Sequence, residues 1–581
     1  METTADGPTR VPPHRGGART VLNGTTLTVG ELIALVDGEA VPTVAPEARG
    51  RAALSWRTAQ ALAAAGRLYG RGTGVGAQGS VPVDEGDEAA HGLRLLRSHA
   101  GGAGALLPAR QVRAMLAVRA NQLLAGGSGI QPALIDALVD ALRLGVHPAV
   151  NEYGAVGTGD LTALAQTGLT LIGERPWLSA ESAGSGSPVG QDGEPTGGRV
   201  EGTDRAAAGG EFAGAAQEVV APAVQLVTLP GPAAETVYVP VSAPVTAVAS
   251  VTGVTAAAPS TGLPAPVVLQ PGDALALLSS NALALGQAAL AQRELDVLLR
   301  ATHAVAALSL AAVSGSPEAY AAPVHALRPY LGAARAAGEV RRLLGLPDRP
   351  QGRQGRRIQD PFGFRAFPQA HGCALDASER LREVVEVEVN CPSENPLMDP
   401  DDTAAYHHGG FFAAPLGLAL DAAGLALLQT AQLSAARLTA LGDPGLTGLP
   451  PFLGGGPATS SGTMILEYTA NSALAELRSA ATPASAGHAV LSRGLEEAAS
   501  FAGQAARQTS RATDAYTTVL ACELVVAVRA LRMRPVQAES LPAPVAVLAA
   551  ATAVLPAGTE DRPLAGDVTA AAELLPRLAE L

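Results

Sequence analysis

Apolar residues recur at helical spacing along most of this chain. They fall three and four apart from Leu106 to Leu124 and again from Pro132 to Leu144, which predicts two helices. An Ala-rich segment ending near Gly66 predicts a third. The Tyr69-Gly70-Arg71-Gly72-Thr73-Gly74 stretch that follows is too rich in glycine for a helix and is expected to be a loop. After Gly159, the run from Leu161 to Gly173 predicts a buried helix, with Asp160 placed to cap its first turn. Apolar Ala/Leu-rich helical pattern then dominates from Asp273 to Arg534. Helices with so few charges suggest a central bundle buried on most sides.

The pattern breaks between about Ser179 and Gly262, where Gly, Ala, Pro, Ser, Thr and Val take over. An insertion is expected here, flexible in its front half and β-prone in its back half. Thr236 to Gly272 carries no charge, but Pro240, Pro244, Pro259, Pro264 and Pro266 argue against a membrane-spanning helix. The expected organisation is a disordered tail over 1–20, an N-terminal domain over 21–178, and an insertion and loop region over 179–272. A central helical bundle over 273–534 and a C-terminal helical region over 535–581 complete it. The fold class is expected to be all-α.

Composition narrows the chemistry. Of 581 residues, 47% are hydrophobic and 16% charged, with a net charge of −13, so no basic surface for nucleic acid is expected. There is no lysine, which closes the Schiff-base route to pyridoxal phosphate and the lysine-dependent grip of a P-loop. Amine chemistry would need another electrophile. Cys373, Cys391 and Cys522 are isolated, which fits a reducing cytoplasm rather than a disulfide framework or a structural zinc. Arg10, Arg15 and Arg19 lie among Gly and Pro with no apolar signal core. His407-His408 has no third partner at metal-ligand spacing, so no metal is expected.

One block of sequence says more. Gly154-Ala155-Val156-Gly157-Thr158-Gly159-Asp160-Leu161, followed by Leu171-Ile172-Gly173-Glu174, resembles the signature of the histidine/phenylalanine ammonia-lyase family. Further matches follow in order. They are Tyr69 to Gly76, Ser98-His99-Ala100-Gly101-Gly102, Val112 to Leu116, Gln359 to Arg365 with Pro368-Gln369, and Glu388-Val389-Asn390 with Asn395-Pro396-Leu397. The resemblance spans Val21 to Arg534 apart from the insertion.

The resemblance implies an all-α, ammonia-lyase-like fold, a homotetramer whose sites combine several chains, and a self-made electrophile. In the family an Ala-Ser-Gly tripeptide cyclises with loss of water to a methylidene-imidazolone, without pyridoxal phosphate or metal. Here Gly157, Thr158 and Gly159 stand in that place, and Thr158 would leave an extra methyl on the electrophilic carbon. An unmodified helix-capping turn is the alternative. The resemblance makes Tyr69 the base that takes the β-proton, Arg365 the partner of a substrate carboxylate, and Gln359 its polar support. Phe362 stands where the family has tyrosine, Phe411 where it has phenylalanine, and Ser279 near an expected asparagine, with Asn281 two residues on. His99 and Glu496 are similar to the histidine-type lyases.

The expected function is elimination, or a 2,3-amino shift, on an amino acid or related small amine. Two rivals stand beside it. One is a lyase-fold enzyme without the electrophile, recruited to another elimination or cyclisation in specialised metabolism. The other is a non-catalytic binding or assembly protein acting through the insertion.

Overall fold

A computed structural model describes residues 17–66, 68–179, 224–227, 237–240, 263–351, 357–534 and 541–581. Helices dominate, and the strands form only two-stranded ribbons among the described residues. Strand Ala18–Leu22 pairs in parallel with Ala40–Val44, so the tail expected to reach Thr20 gives way to ordered backbone at Ala18. Most of the 179–272 insertion lies outside the described residues. Within it, Val224–Val227 and Val237–Pro240 form an antiparallel ribbon.

Four long helices make the core. Ala282–Ala312 packs on Ala502–Met533, which packs on Ala414–Leu441. That helix packs on Phe367–Glu388, which returns to Ala282–Ala312 and closes the ring. The Ala282–Ala312 helix is apolar nearly all round and is buried on nearly all sides, as its composition demands. Two stretches, Asp273–Ala312 and Ala414–Leu441, are long and apolar enough to cross a membrane; the first is 94% buried within the bundle. Ala109–Leu124 lies against the starting half of the Ala282–Ala312 helix, and residues 103–106, which the spacing placed partly in that helix, form a short strand instead. Helices Val545–Val554 and Ala565–Leu578 occupy the C-terminal region.

Two ion pairs are sealed inside. Arg437 meets Glu523 with Nε–Oε1 at 2.6 Å and Nη2–Oε2 at 2.8 Å, both residues fully buried. Ser309 and Ser434 donate their hydroxyls to the same carboxylate, and Arg437 Nη1 donates to the Gly363 carbonyl at 3.0 Å. Every oxygen of Glu523 is thus partnered, the condition under which a buried charge pair is tolerated. Arg119 and Glu394 form the second pair at 2.8 Å, and Arg119 also donates to the Ala276 and Leu277 carbonyls that end the Asp273–Leu278 helix. That pair anchors the approach to Ser279 and Asn281.

Candidate active site

Direction along the chain decides where chemistry can happen. The helices Leu161–Leu171, Ala282–Ala312, Ala414–Leu441 and Ala502–Met533 all begin at one place, and the Val156–Asp160 loop lies among their first residues. Asp160 N–H donates to the Ser280 carbonyl at 2.7 Å, and Gly159 N–H donates to Asn281 Oδ1 at 3.1 Å. The Gly157 carbonyl accepts from Ala413 N–H at 3.4 Å and from the Ser500 hydroxyl at 3.0 Å. Phe501 N–H donates to the Val156 carbonyl at 2.8 Å. Asn281, Ala413 and Phe501 are each the residue from which a long helix starts. Helix-start N–H groups and the positive ends of the helix dipoles therefore surround the loop, so negative charge developing there is stabilised.

Glycine is needed on both sides of Thr158. Gly157 has φ +88° and Gly159 φ +112°, conformations that L side chains rarely hold. At Gly157 there is also no room, since a Cβ would lie 2.0 Å from Ser500 Oγ.

Asp160 corrects an expectation. Its side chain makes no capping bond to the Leu161–Leu171 helix. Instead it accepts from Ala284 N–H at 2.9 Å, capping a helix more than a hundred residues away in sequence. Burial pushes this carboxyl up to about 6, against the Ala284 and Leu283 N–H groups that hold it down.

A cavity of about 190 Å³ opens beside the loop and gathers Tyr69, His99, Thr158, Ser279, Phe411 and Glu496. Each is held by local structure. Gly76 N–H donates to Tyr69 Oη at 2.6 Å, and the ring leaves no space for a Cβ at Gly79, 2.8 Å away. His99 ends the Glu88–His99 helix, and its Nδ1 lies 3.0 Å from the Leu95 carbonyl. A carbonyl can only accept, so Nδ1 donates to it, and in the neutral ring Nε2 faces the other edge as an acceptor. Ser279 closes the Asp273–Leu278 helix, and Ser393 Oγ donates to its carbonyl at 3.0 Å. Asn281 Nδ2 donates to the Phe411 carbonyl, which fixes the amide with its oxygen toward Gly159. Glu496 follows a turn in which Ser492 (φ 54°) and Arg493 (φ 59°) are both left-handed, and Ala77 N–H donates to Ser492 Oγ at 3.1 Å. That bond ties the turn to the Tyr69 loop.

Two expected positions resolve together. Ser279 lines the cavity, whereas Asn281 grips the glycine loop. Asn395, Ser492 and Ser500 had not been singled out as site residues. Asn395 stood only within the Asn395-Pro396-Leu397 match, and Ser500 only as a serine just ahead of an Ala-rich helical run.

The structure does not bring Gln359, Phe362 and Arg365 to this cavity. Asp360 beside them accepts from Ser316 N–H, and Tyr320 Oη donates to the Phe364 carbonyl, so they lie past the far end of the Ala282–Ala312 helix. Thirty-one residues at 1.5 Å each put about 45 Å between that end and Gly159. Gln359 is exposed and Phe362 is 62% exposed, with the Arg365 guanidinium 4.1 Å over its ring. No group of three or more His, Cys, Asp and Glu suited to a metal occurs among the described residues. His408 uses both ring nitrogens, one against the Glu394 carbonyl at 2.7 Å and one accepting from Gly410 N–H at 2.8 Å.

The family model described as aromatic amino acid lyase matches residues 27–191 and 245–553. The chain belongs to that family. It is a carbon–nitrogen lyase-type enzyme. A histidine ammonia-lyase of Geobacillus thermodenitrificans is 31% identical over 557 residues, covering 95% of this chain and 96% of the relative. A tyrosine aminomutase of Streptomyces globisporus superposes with a TM-score of 0.77 at 25% identity, covering 97% of each chain. The ergothionase of Treponema denticola shares the fold, with a TM-score of 0.77 at 23% identity and coverage of 97% and 100%. The lyase thus shares its fold with proteins named for eliminations and for an amino shift.

Proposed function

We propose that this lyase eliminates ammonia from, or shifts the amino group of, a small amino acid or related amine, using an electrophile formed at Gly157-Thr158-Gly159. The observation that carries the reading is the handling of that tripeptide. The two groups that must join are each held by partners: the Gly159 N–H by Asn281 and the Gly157 carbonyl by two donors. The hydroxyl residue between them faces the cavity that also holds Tyr69. The residues present therefore fit a self-formed, methyl-substituted imidazolone, which would supply an electrophilic carbon for the substrate amine.

Around it, Tyr69 is placed to take a proton from the bound substrate. His99 Nε2 and the Glu496 carboxylate both accept hydrogen bonds, so together they favour a substrate whose far end donates them. An imidazole or a phenol would serve.

Arg365 would hold the substrate carboxylate as a guanidinium fork. It can do so only from another subunit, which favours a homotetramer in which the exposed Phe362–Arg365 turn of one chain completes the cavity of the next. Free cysteines Cys373, Cys391 and Cys522 suit a reducing cytoplasm.

The test is intact-mass spectrometry of the purified chain. A deficit of two waters that disappears in Thr158→Ala, together with lost turnover, supports the reading; a chain of full mass sinks it. Turnover that survives Thr158→Ala would favour the lyase fold recruited to a reaction without the electrophile.

A further inference from the structure

We infer that Ser500 drives ring closure at Gly157-Thr158-Gly159 by donating its hydroxyl to the carbonyl under attack; this rests on the electrophile reading above. Closure begins when the Gly159 nitrogen bonds to the Gly157 carbonyl carbon, and the Gly157 oxygen takes up the electron pair of its broken π bond. That oxygen leaves as water with the Gly159 N–H proton and the Thr158 N–H proton, leaving a carbon–nitrogen double bond. Thr158 then loses its hydroxyl and its Cα hydrogen as the second water. The first step is difficult because an amide nitrogen is a poor nucleophile and an amide carbonyl a poor electrophile. It needs charge stabilised on the Gly157 oxygen.

The structure supplies this from two sides. Ser500 Oγ donates to that oxygen at 3.0 Å, and Ala413 N–H approaches it at 3.4 Å. Ser500 is 4% exposed, so the bond is shielded from water. The serine is itself polarised: its oxygen accepts from Ala502 N–H at 3.4 Å, the first turn of the Ala502–Met533 helix. Helix N-terminus, serine hydroxyl and carbonyl oxygen form one chain of hydrogen bonds, each strengthening the next.

The backbone is bent to hold this geometry. Phe501 sits in the left-handed region at φ 50°, a conformation that strains a non-glycine residue. Its N–H reaches the Val156 carbonyl at 2.8 Å while Ser500 reaches Gly157. Opposite, Asn281 accepts the Gly159 N–H, the bond that must give up its proton. Gly157 is the counterpart of Ser500, because any Cβ there would occupy the position of the hydroxyl.

The experiment follows full-length chains by intact mass at intervals after cell-free synthesis, comparing wild type with Ser500→Ala and Ser500→Cys. The cysteine variant keeps the branching of the side chain and replaces the hydroxyl with a bulkier, weak donor. Both variants are expected to lose water on the order of 10²-fold to 10³-fold more slowly than wild type, the effect of removing one donor from a developing oxyanion. Melting curves identify a variant that fails to fold, in which case the other variant decides. Variants that lose two waters at the wild-type rate overturn the role of Ser500 and leave the electrophile standing. A wild-type chain that stays at full mass overturns both.

Discussion

The two ends of the helical bundle are built to opposite specifications. At one end four helices begin, and a glycine loop is enclosed by their donors, with buried Ser500, Asn281 and Asp160 holding it from three sides. At the other, the Gln359–Arg365 segment passes over the surface, Phe362 is 62% exposed and Arg365 Nε has no hydrogen-bond partner among the described residues. The first end is rich in donors, and its cavity is lined by Tyr69 and polar side chains, with no arginine among the described residues that line it. The second has an arginine whose guanidinium lies over the Phe362 ring. On the function proposed above, a single chain would carry two half-sites, separated by the length of one helix.

The most damaging single change should strike the first end. Tyr69→Phe is expected to lower kcat roughly 10²-fold to 10⁴-fold, the usual worth of a positioned proton-transfer group, while leaving the melting temperature near wild type. A variant with unchanged kcat would remove Tyr69 from the reaction. At the second end the largest effect should be on stability. Glu523→Ala strands the buried Arg437 and should destabilise the fold by about 3–5 kcal/mol, read from denaturant unfolding, since breaking one partner leaves an unpaired interior charge. Loss of the Arg437 bond to Gly363 should also loosen the Phe362–Arg365 turn.

Mixing the two ends gives a smaller but sharper test. Tyr69→Phe and Arg365→Ala chains, each nearly inactive alone, should regain measurable turnover when unfolded together and reassembled. Reassembled mixtures as inactive as their parents would mean that each site is contained in one chain.

The smallest effect is one of pH. The Asp160 carboxyl has a folded value raised from 3.8 to about 6, so its contribution to stability is fully present below about pH 4 and is lost as pH rises through about 6. Asp160→Asn keeps an acceptor for Ala284 N–H and should flatten that decline. A melting temperature that falls equally in both proteins from pH 4 to 6 would show that Asp160 is not the titrating group.

Much of the first end was readable from sequence and little of the second. Glycines flanking Thr158 announce a backbone that needs left-handed conformations, and periodic apolar runs announce the helices on either side. Asp160 was readable as a capping residue but not for the right helix. Local spacing favours the next turn of chain, whereas the bond goes to Ala284, brought there by tertiary packing. Ser492 was silent and Ser500 marked no more than a helix start, because serine carries no periodic signal and no titration, and their roles depend on left-handed residues at Phe501 and Ser492 that sequence does not mark. Gln359, Phe362 and Arg365 could be matched to roles but not placed. The distance from them to the cavity depends on the direction in which each helix runs.

The lack of space at Gly157 also constrains how such a loop can change over generations. Residues 157 and 500 are far apart in the chain but share one volume, with 2.0 Å between the hydroxyl and the nearest atom alanine would add. Alanine at 157 alone collides with the serine; a smaller residue at 500 alone gives up the bond to the carbonyl. A smaller residue at 500 would clear the space but leave φ at +88°, where a side chain is strained whatever the room, so the single steps and the double step are all disfavoured. A lineage that has adopted this glycine and serine together has no easy single-mutation path away.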